Sequence, residues 1–184
     1  MTTATAFTSL TGTYAVDPSH TRIGFVARHA MVTKVRGGFN EFAGTAHIDG
    51  DDLGKSDVEL TIEVASIDTR NADRDGHLRS NDFLALDQYP SITFRSTAVT
   101  ATDDGVDITG DLTIKGVTRS VTVPFTFEGQ ATDPFGNERI GFEGTTTINR
   151  KDYGITWNAA LETGGVLVSD KIVLEFEISA IRQA

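Results

Sequence analysis

The sequence predicts an all-β protein whose strands close as an antiparallel barrel or pack as a sandwich. Three observations carry this. Segment after segment alternates apolar and polar residues, as where Val58, Leu60, Ile62 and Val64 interleave with Glu59, Thr61 and Glu63. Short turn signals separate the segments, among them Asp49 to Gly54 and Asp103-Asp104-Gly105. About eight such one-faced segments occur, and strands in that number bury their apolar faces most economically in these two architectures.

Taken in order, residues 1–12 are rich in Thr and Ala and are expected to form a flexible N-terminus, with one domain over 13–184. Asp17-Pro18-Ser19-His20 predicts an Asx-type turn, the Asp17 carboxylate accepting from backbone N–H groups before the first strand. In His20 to Ala27 the residues Ile23, Phe25 and Ala27 share a face. His29 to Val32 reads as a short turn of helix, followed by Arg36-Gly37-Gly38. A strand is expected from Phe39 to Ile48, with a bulge where Phe39 and Phe42 stand three apart.

Beyond residue 90, Ile92, Phe94, Ser96 and Ala98 alternate with polar neighbours, and Val106, Ile108, Gly110, Leu112 and Ile114 repeat at period two. Val121, Val123, Phe125 and Phe127 follow, then Ile140, Phe142, Gly144, Thr146 and Ile148, and last Ile172, Leu174, Phe176 and Ile178. Pro124 cannot donate to a ladder, so its position should be an edge or a bulge. Eight strands enclose just enough volume for side chains or for one small ligand. Gly37, Gly44, Gly110 and Gly144 on the inner face either open a cavity or mark bends.

Two stretches break the alternation. Asn71 to Pro90 opens with charges (Asp73, Arg74, Asp75, His77, Arg79) and continues into a predicted short helix from Asp82 to Tyr89. Asp82 is its expected N-cap, Phe83, Leu84 and Leu86 are its apolar face, and Pro90 is its stop. The stretch is a lid over a cavity mouth or a crossover whose helix closes one end of the core. Arg150 to Gly165 is far longer than a hairpin loop and holds Tyr153, Ile155, Leu161 and the only tryptophan, Trp157.

A chain of 184 residues with 39% hydrophobic content supports one buried core. Its net charge of −10 argues against nucleic acid and against a polybasic membrane anchor. With no cysteine, disulfides and thiolate chemistry are excluded. No stretch is long and apolar enough to span a bilayer, and the N-terminus lacks the features of a signal peptide, so a cytoplasmic location is expected. The four histidines, His20, His29, His47 and His77, show no metal-ligand spacing, and no nucleophile or phosphate-binding motif occurs.

Three segments together, YAVDPSHTRIGFVARHAMVTKVRGGFNEFAG, SIDTRNADRDGHLRSNDFLALDQYPSITFRST and GDLTIKGVTRSVTVPF, resemble the YceI-like family of polyisoprenoid-binding proteins, over Tyr14 to Arg182. The resemblance implies an extended, eight-stranded, lipocalin-like barrel over 13–184. It also implies an elongated apolar pore for an isoprenoid chain, such as a quinone tail or a polyprenyl phosphate. Each isoprene unit sheathed there would gain on the order of 2–3 kcal/mol.

The pore lining expected on this basis is Phe25, Phe39, Phe42, Leu60, Ile62, Phe83, Leu84, Leu86, Phe94, Ile108, Phe125, Phe127, Phe142, Trp157 and Phe176, with Arg74, His77 and Arg79 as a head-group rim. The resulting expectation is a non-enzymatic carrier or store with no required cofactor. Its partners would be an isoprenoid or quinone-like lipid and a second copy in a homodimer. The competing expectation is an enzyme on an apolar substrate, with Asp75 and His77 as an acid/base group in the Arg74–Arg79 loop.

Overall fold

The computed structural model describes residues 7–184. Its strands are β1 (Gly12–Val16), β2 (Arg22–His29), β3 (Thr33–Phe39), β4 (Phe42–Ile48), β5 (Asp57–Glu63), β6 (Ile67–Asp68), β7 (Ser91–Ala101), β8 (Gly105–Ile114), β9 (Val117–Thr132), β10 (Glu138–Asn149) and β11 (Lys171–Arg182). Eight of them close a barrel in the order β1-β4-β5-β7-β8-β9-β10-β11, with β11 returning to β1. Neighbouring strands are antiparallel throughout, as expected for one-faced strands joined by short turns.

β11 holds two partners on one side. Its C-terminal end pairs with β1, from Val16↔Ala180 to Tyr14↔Arg182, and its N-terminal half pairs with β2, from Val173↔Val26 to Glu177↔Arg22. The predicted Asx turn makes this branching. Asp17 accepts from Ser19 N at 3.0 Å and from Ser19 Oγ at 2.8 Å, and the short 3-10 turn Pro18–His20 breaks one strand position into two. The hairpin β2–β3, with β6 on its far edge, thus extends from the wall as a flap.

Several local expectations are corrected. The strand expected from Phe39 to Ile48 is the end of β3 and the start of β4, so the spacing of Phe39 and Phe42 reports a connection and not a bulge. The register shifts fall at Thr97, between Ser96 and Ala98, and opposite Gly141 and Phe142, where Glu128 is extra. Residues His29 to Val32 form a hairpin turn, not a helix. Ala30 and Met31 take the left-handed φ values 52° and 63°, and Val32 N donates to His29 O at 3.0 Å. Pro124 sits where the β9–β10 ladder stops at Phe125↔Gly144, which meets the edge expectation.

Of the N-terminus expected to be flexible over 1–12, residues 1–6 lie outside the described residues. Phe7 and Leu10 are each only 1% exposed. Phe7 packs on Phe127 with ring centroids 5.7 Å apart, and Tyr14 donates from its buried hydroxyl to Leu10 O at 2.9 Å. They join Val99, Val106, Ile140 and Ala180 in a cluster that closes one end of the barrel. A second, larger cluster around Ile62, Phe83, Leu84, Leu112 and Tyr153 fills the other.

Candidate functional site

Between the two clusters lies a cavity of about 310 Å³ with an almost wholly apolar wall. The period-two alternation of the barrel strands aims Leu60, Phe94, Ile108, Leu174 and Phe176 into it, because every second side chain of a closed barrel points inward, and β2, paired to β11, adds Phe25. The volume is at the low end for small-molecule sites, and the carbon lining suits a ligand that needs no directional contacts along its length.

The segment that closes the far end differs from its sequence expectation. Its helix is α1, Ala72–Arg79, in the charged half, and residues 81–88 form successive turns. Asn71 caps α1 by accepting from Arg74 N at 3.0 Å. Asp73 and Asp75 occupy the first turn and His77 and Arg79 the last, the order the helix dipole favours.

The expected helix from Asp82 to Tyr89 fails because its N–H groups are used elsewhere. Leu84 N donates to Leu78 O at 3.0 Å, Ala85 N to Ser80 O at 2.9 Å and Leu86 N to Arg79 O at 2.9 Å, which satisfies the open carbonyls at the end of α1. Ala85, at φ 50°, turns the chain back. The product is a plug whose Leu78, Phe83 and Leu84 line the cavity.

The long loop after β10 completes this end. Tyr153, Ile155 and Val168 reach the cavity wall. Trp157 packs edge-on to His77 at 4.6 Å and against Phe83 at 5.4 Å, so the loop braces the plug from outside. The loop is held by Arg150, whose guanidinium is buried and donates to the carbonyls of Ser169 (2.8 Å), Ile155 (3.0 Å) and Trp157 (2.8 Å). Burial lowers the pKa of Arg150 from its ordinary value, and Asp170 opposes that. Burial also raises the pKa of the Tyr153 hydroxyl, which has no hydrogen-bond partner among the described residues.

Of the side chains expected in the pore, Phe42, Leu86, Phe127 and Trp157 lie off the cavity wall, and the others lie on it. Phe127 belongs to the cluster under Phe7, while Phe42 and Leu86 pack within the plug-end cluster. Inward residues the sequence reading missed include Leu78, Tyr153, Ile155 and Val168.

The expected head-group rim is spent on structure. Arg74 donates to Thr69 Oγ1 at 2.8 Å and Thr69 O at 2.7 Å, and Arg79 to Ala65 O and Ile67 O, each at 3.2 Å. Asp75 accepts from Thr69 N at 2.8 Å and Thr69 Oγ1 at 2.6 Å, whereas His77 pairs with Asp82 at 2.9 Å. Asp75 and His77 are thus engaged with separate partners.

Elsewhere, Asp17, Ser19 and His20 do meet, but Ser19 Oγ (3.0 Å) and Asp17 Oδ2 (2.8 Å) both contact the same ring nitrogen, Nδ1. A catalytic relay uses the two nitrogens separately. Among the described residues no group of three or more His, Asp or Glu could hold a metal ion, and no helix is long and apolar enough to cross a membrane.

A YceI-like domain model matches residues 14–180. The chain belongs to the YceI-like family. A UPF0312 protein of Pseudomonas paraeruginosa is 39% identical over 181 residues, covering 97% of this chain and 92% of its own. The crystal structure of Burkholderia cenocepacia BcnA superposes with a TM-score of 0.78 at 25% identity, covering 89% of this YceI-like chain and 98% of BcnA. A polyisoprenoid binding domain from Saccharophagus degradans shares the fold, with a TM-score of 0.70 at 16% identity, covering 92% of this chain and 98% of that domain.

Proposed function

We propose that this YceI-like protein binds and carries a long isoprenoid lipid, its tail lying in the barrel cavity. The observation that carries the reading is the wall: Phe and branched aliphatic side chains line about 310 Å³ with almost no polar surface. Burying a carbon chain there gains about 0.8 kcal/mol per CH₂, and no polar group of the ligand is stranded along the way. Membership of the YceI-like family supports it, and the fold neighbour from Saccharophagus degradans is a polyisoprenoid binding domain. The same reading takes the carrier as non-catalytic and free of any required cofactor; in support of the first part, Asp75 and His77 bond to separate structural partners and not to each other. A cytoplasmic location and a homodimer belong to the same proposal, to be checked by cell fractionation and light scattering.

Native mass spectrometry of gently purified protein should find a lipid adduct, and delipidated protein should take up a polyprenyl quinone saturably. A chain that emerges empty and takes up none defeats the proposal. His77→Ala should weaken retention of the lipid without abolishing a turnover, whereas an acid/base catalyst would lose about 10²-fold or more in rate.

A further inference from the structure

The chain carries −10 overall, yet Pro18 to Asn40 contains not one Asp or Glu. The stretch is the β2–β3 flap, and it holds Arg22, Arg28, Lys34 and Arg36. Register puts Arg28 opposite Lys34 and Arg36 opposite Val26, on the face away from Phe25 and Ala27, which line the cavity. Arg22 pairs with Glu175 at 3.3 Å, whereas Arg28, Lys34 and Arg36 make no ion pair among the described residues. At the tip of this basic flap Met31 is 63% exposed and Val32 75%, with the exposed Val166 on the adjoining loop, where the Met31 sulfur lies beside the position a Cβ of residue 165 would take.

Each of these features works against folding. Like charges directly across a strand pair are unfavourable. A hairpin turn with two left-handed residues favours Asn-Gly, and here it is Ala30-Met31, with an apolar side chain held in water at a strained backbone position. Local rules broken together at one place point to a function there. The tip is also firmly seated. Ala30 N donates to Leu167 O at 2.8 Å, Arg28 N to Ser169 Oγ at 2.9 Å, and His29 bridges to Val168, which lines the cavity.

We infer that the β2–β3 flap docks the protein on an anionic lipid bilayer, Met31 and Val32 entering the interface while Arg28, Lys34 and Arg36 sit at the headgroups. Apolar residues rimmed by Lys and Arg are the composition that binds this boundary, and the charge is complementary to it. The net charge of −10 opposes deep insertion, so docking is shallow and reversible, and it sets the cavity wall at Val168 and Ala27 against the source of the lipid. The purpose of docking rests on the carrier reading; the docking itself does not.

The test is co-sedimentation of the full chain with phosphatidylcholine vesicles, with and without phosphatidylglycerol. Wild type should bind the anionic vesicles alone and release with salt. Arg28→Gln, Lys34→Gln and Arg36→Gln should each weaken binding roughly fivefold. Met31→Gly separates docking from folding. It relieves the left-handed strain and should raise the melting temperature, yet weaken vesicle binding roughly tenfold. Met31→Trp should give a fluorescence blue shift with anionic vesicles only.

Phe135, 89% exposed at the tip of the β9–β10 hairpin beside Asp133 and Glu138, is the control, and Phe135→Ser should leave binding unchanged. Indifference of wild type to anionic vesicles at low salt overturns the inference and leaves the flap to an acidic protein partner. So does undiminished binding by Met31→Gly, or an equal loss in Phe135→Ser. Lipid occupancy measured without vesicles keeps the two readings apart. A protein that docks but carries no lipid overturns only the carrier, and one that carries lipid but never docks overturns only the flap.

Discussion

Phe25 and Gly37 are partners across β2 and β3, and the phenyl ring lies where a Cβ of residue 37 would be. The same relationship recurs at Phe125 over its partner Gly144, and diagonally at Phe94 over Gly110, which pairs with Ser96. An aromatic ring covering a cross-strand glycine restores the packing that the glycine lacks. Here it also draws three large rings back against the wall, so the lumen stays open.

Gly37→Ala should therefore cost only about 1–3 kcal/mol of stability, since the displaced group is a side chain. The ring must swing into the cavity, and lipid uptake should fall roughly tenfold, equivalent to about 1.4 kcal/mol. Adding Phe25→Ala should restore uptake, because the two changes are coupled through one contact. Uptake unchanged in Gly37→Ala, measured by titration with a polyprenyl quinone, would show that this ring does not set the open volume.

The barrel was legible because inward and outward residues alternate in β5, β8, β10 and β11, and in β7 as far as the bulge at Thr97, beyond which Val99 and not the expected Ala98 is buried. The pore followed from it for Phe25, Phe94 and Phe176. Strand β3 was hidden, because Arg36-Gly37-Gly38 looks like a breaker and its glycines are explained only by Phe25 on another strand. Helix α1 was hidden for a different reason: apart from Leu78 it shows no apolar stripe, and its order comes from capping and charge. The rim expected at Arg74 and Arg79 failed because both residues bond to backbone carbonyls that no sequence pattern announces. Phe127 shares the period of Phe125, but it lies one inward position nearer the closed end, where Phe7 packs on it.

Phe83 touches both halves of the closure, at 5.0 Å from the His77 ring and 5.4 Å from Trp157, and lines the cavity. Phe83→Ala should cost about 3 kcal/mol in a denaturant titration. Phe83→Asp should abolish lipid copurification while the β-sheet circular dichroism persists. An Asp variant that copurifies with as much lipid as wild type rules out the plug as part of the binding wall.

Arg139 joins two distant turns, donating at 2.7 Å to Asp17 before β2 and at 2.7 Å to Asp133 between β9 and β10. Its hydrogen bonds hold both carboxyls well below the usual carboxylate range, aided at Asp17 by His20. A carboxyl made more acidic by folding stabilises fully above its unfolded pKa of about 3.9 and loses that contribution as pH falls further. The urea midpoint of wild type should therefore be level down to about pH 5 and then fall. Arg139→Met should start lower at neutral pH and decline less on acidification. A decline as steep as that of wild type would assign the acid sensitivity to other groups.

Arg150 should be the residue on which the long loop depends. Its guanidinium lies 3.7 Å from Asp170 and donates to carbonyls at Ile155, Trp157 and Ser169, with a longer bond of 3.4 Å to Val168. A lysine offers one compact charge and cannot span carbonyls set around a planar fork. Arg150→Lys should thus be damaging, and Arg150→Met more so, at about 3 kcal/mol, because buried carbonyls lose their donor. The damage should be local, since the barrel ladders do not pass through this side chain. Trp157 emission should shift to the red, protease cleavage should appear within residues 154–170, and bound lipid should exchange faster, while the barrel circular dichroism holds. If Arg150→Met keeps the native Trp157 spectrum and resists protease as wild type does, the loop is held by its apolar contacts with Phe83 and His77 instead.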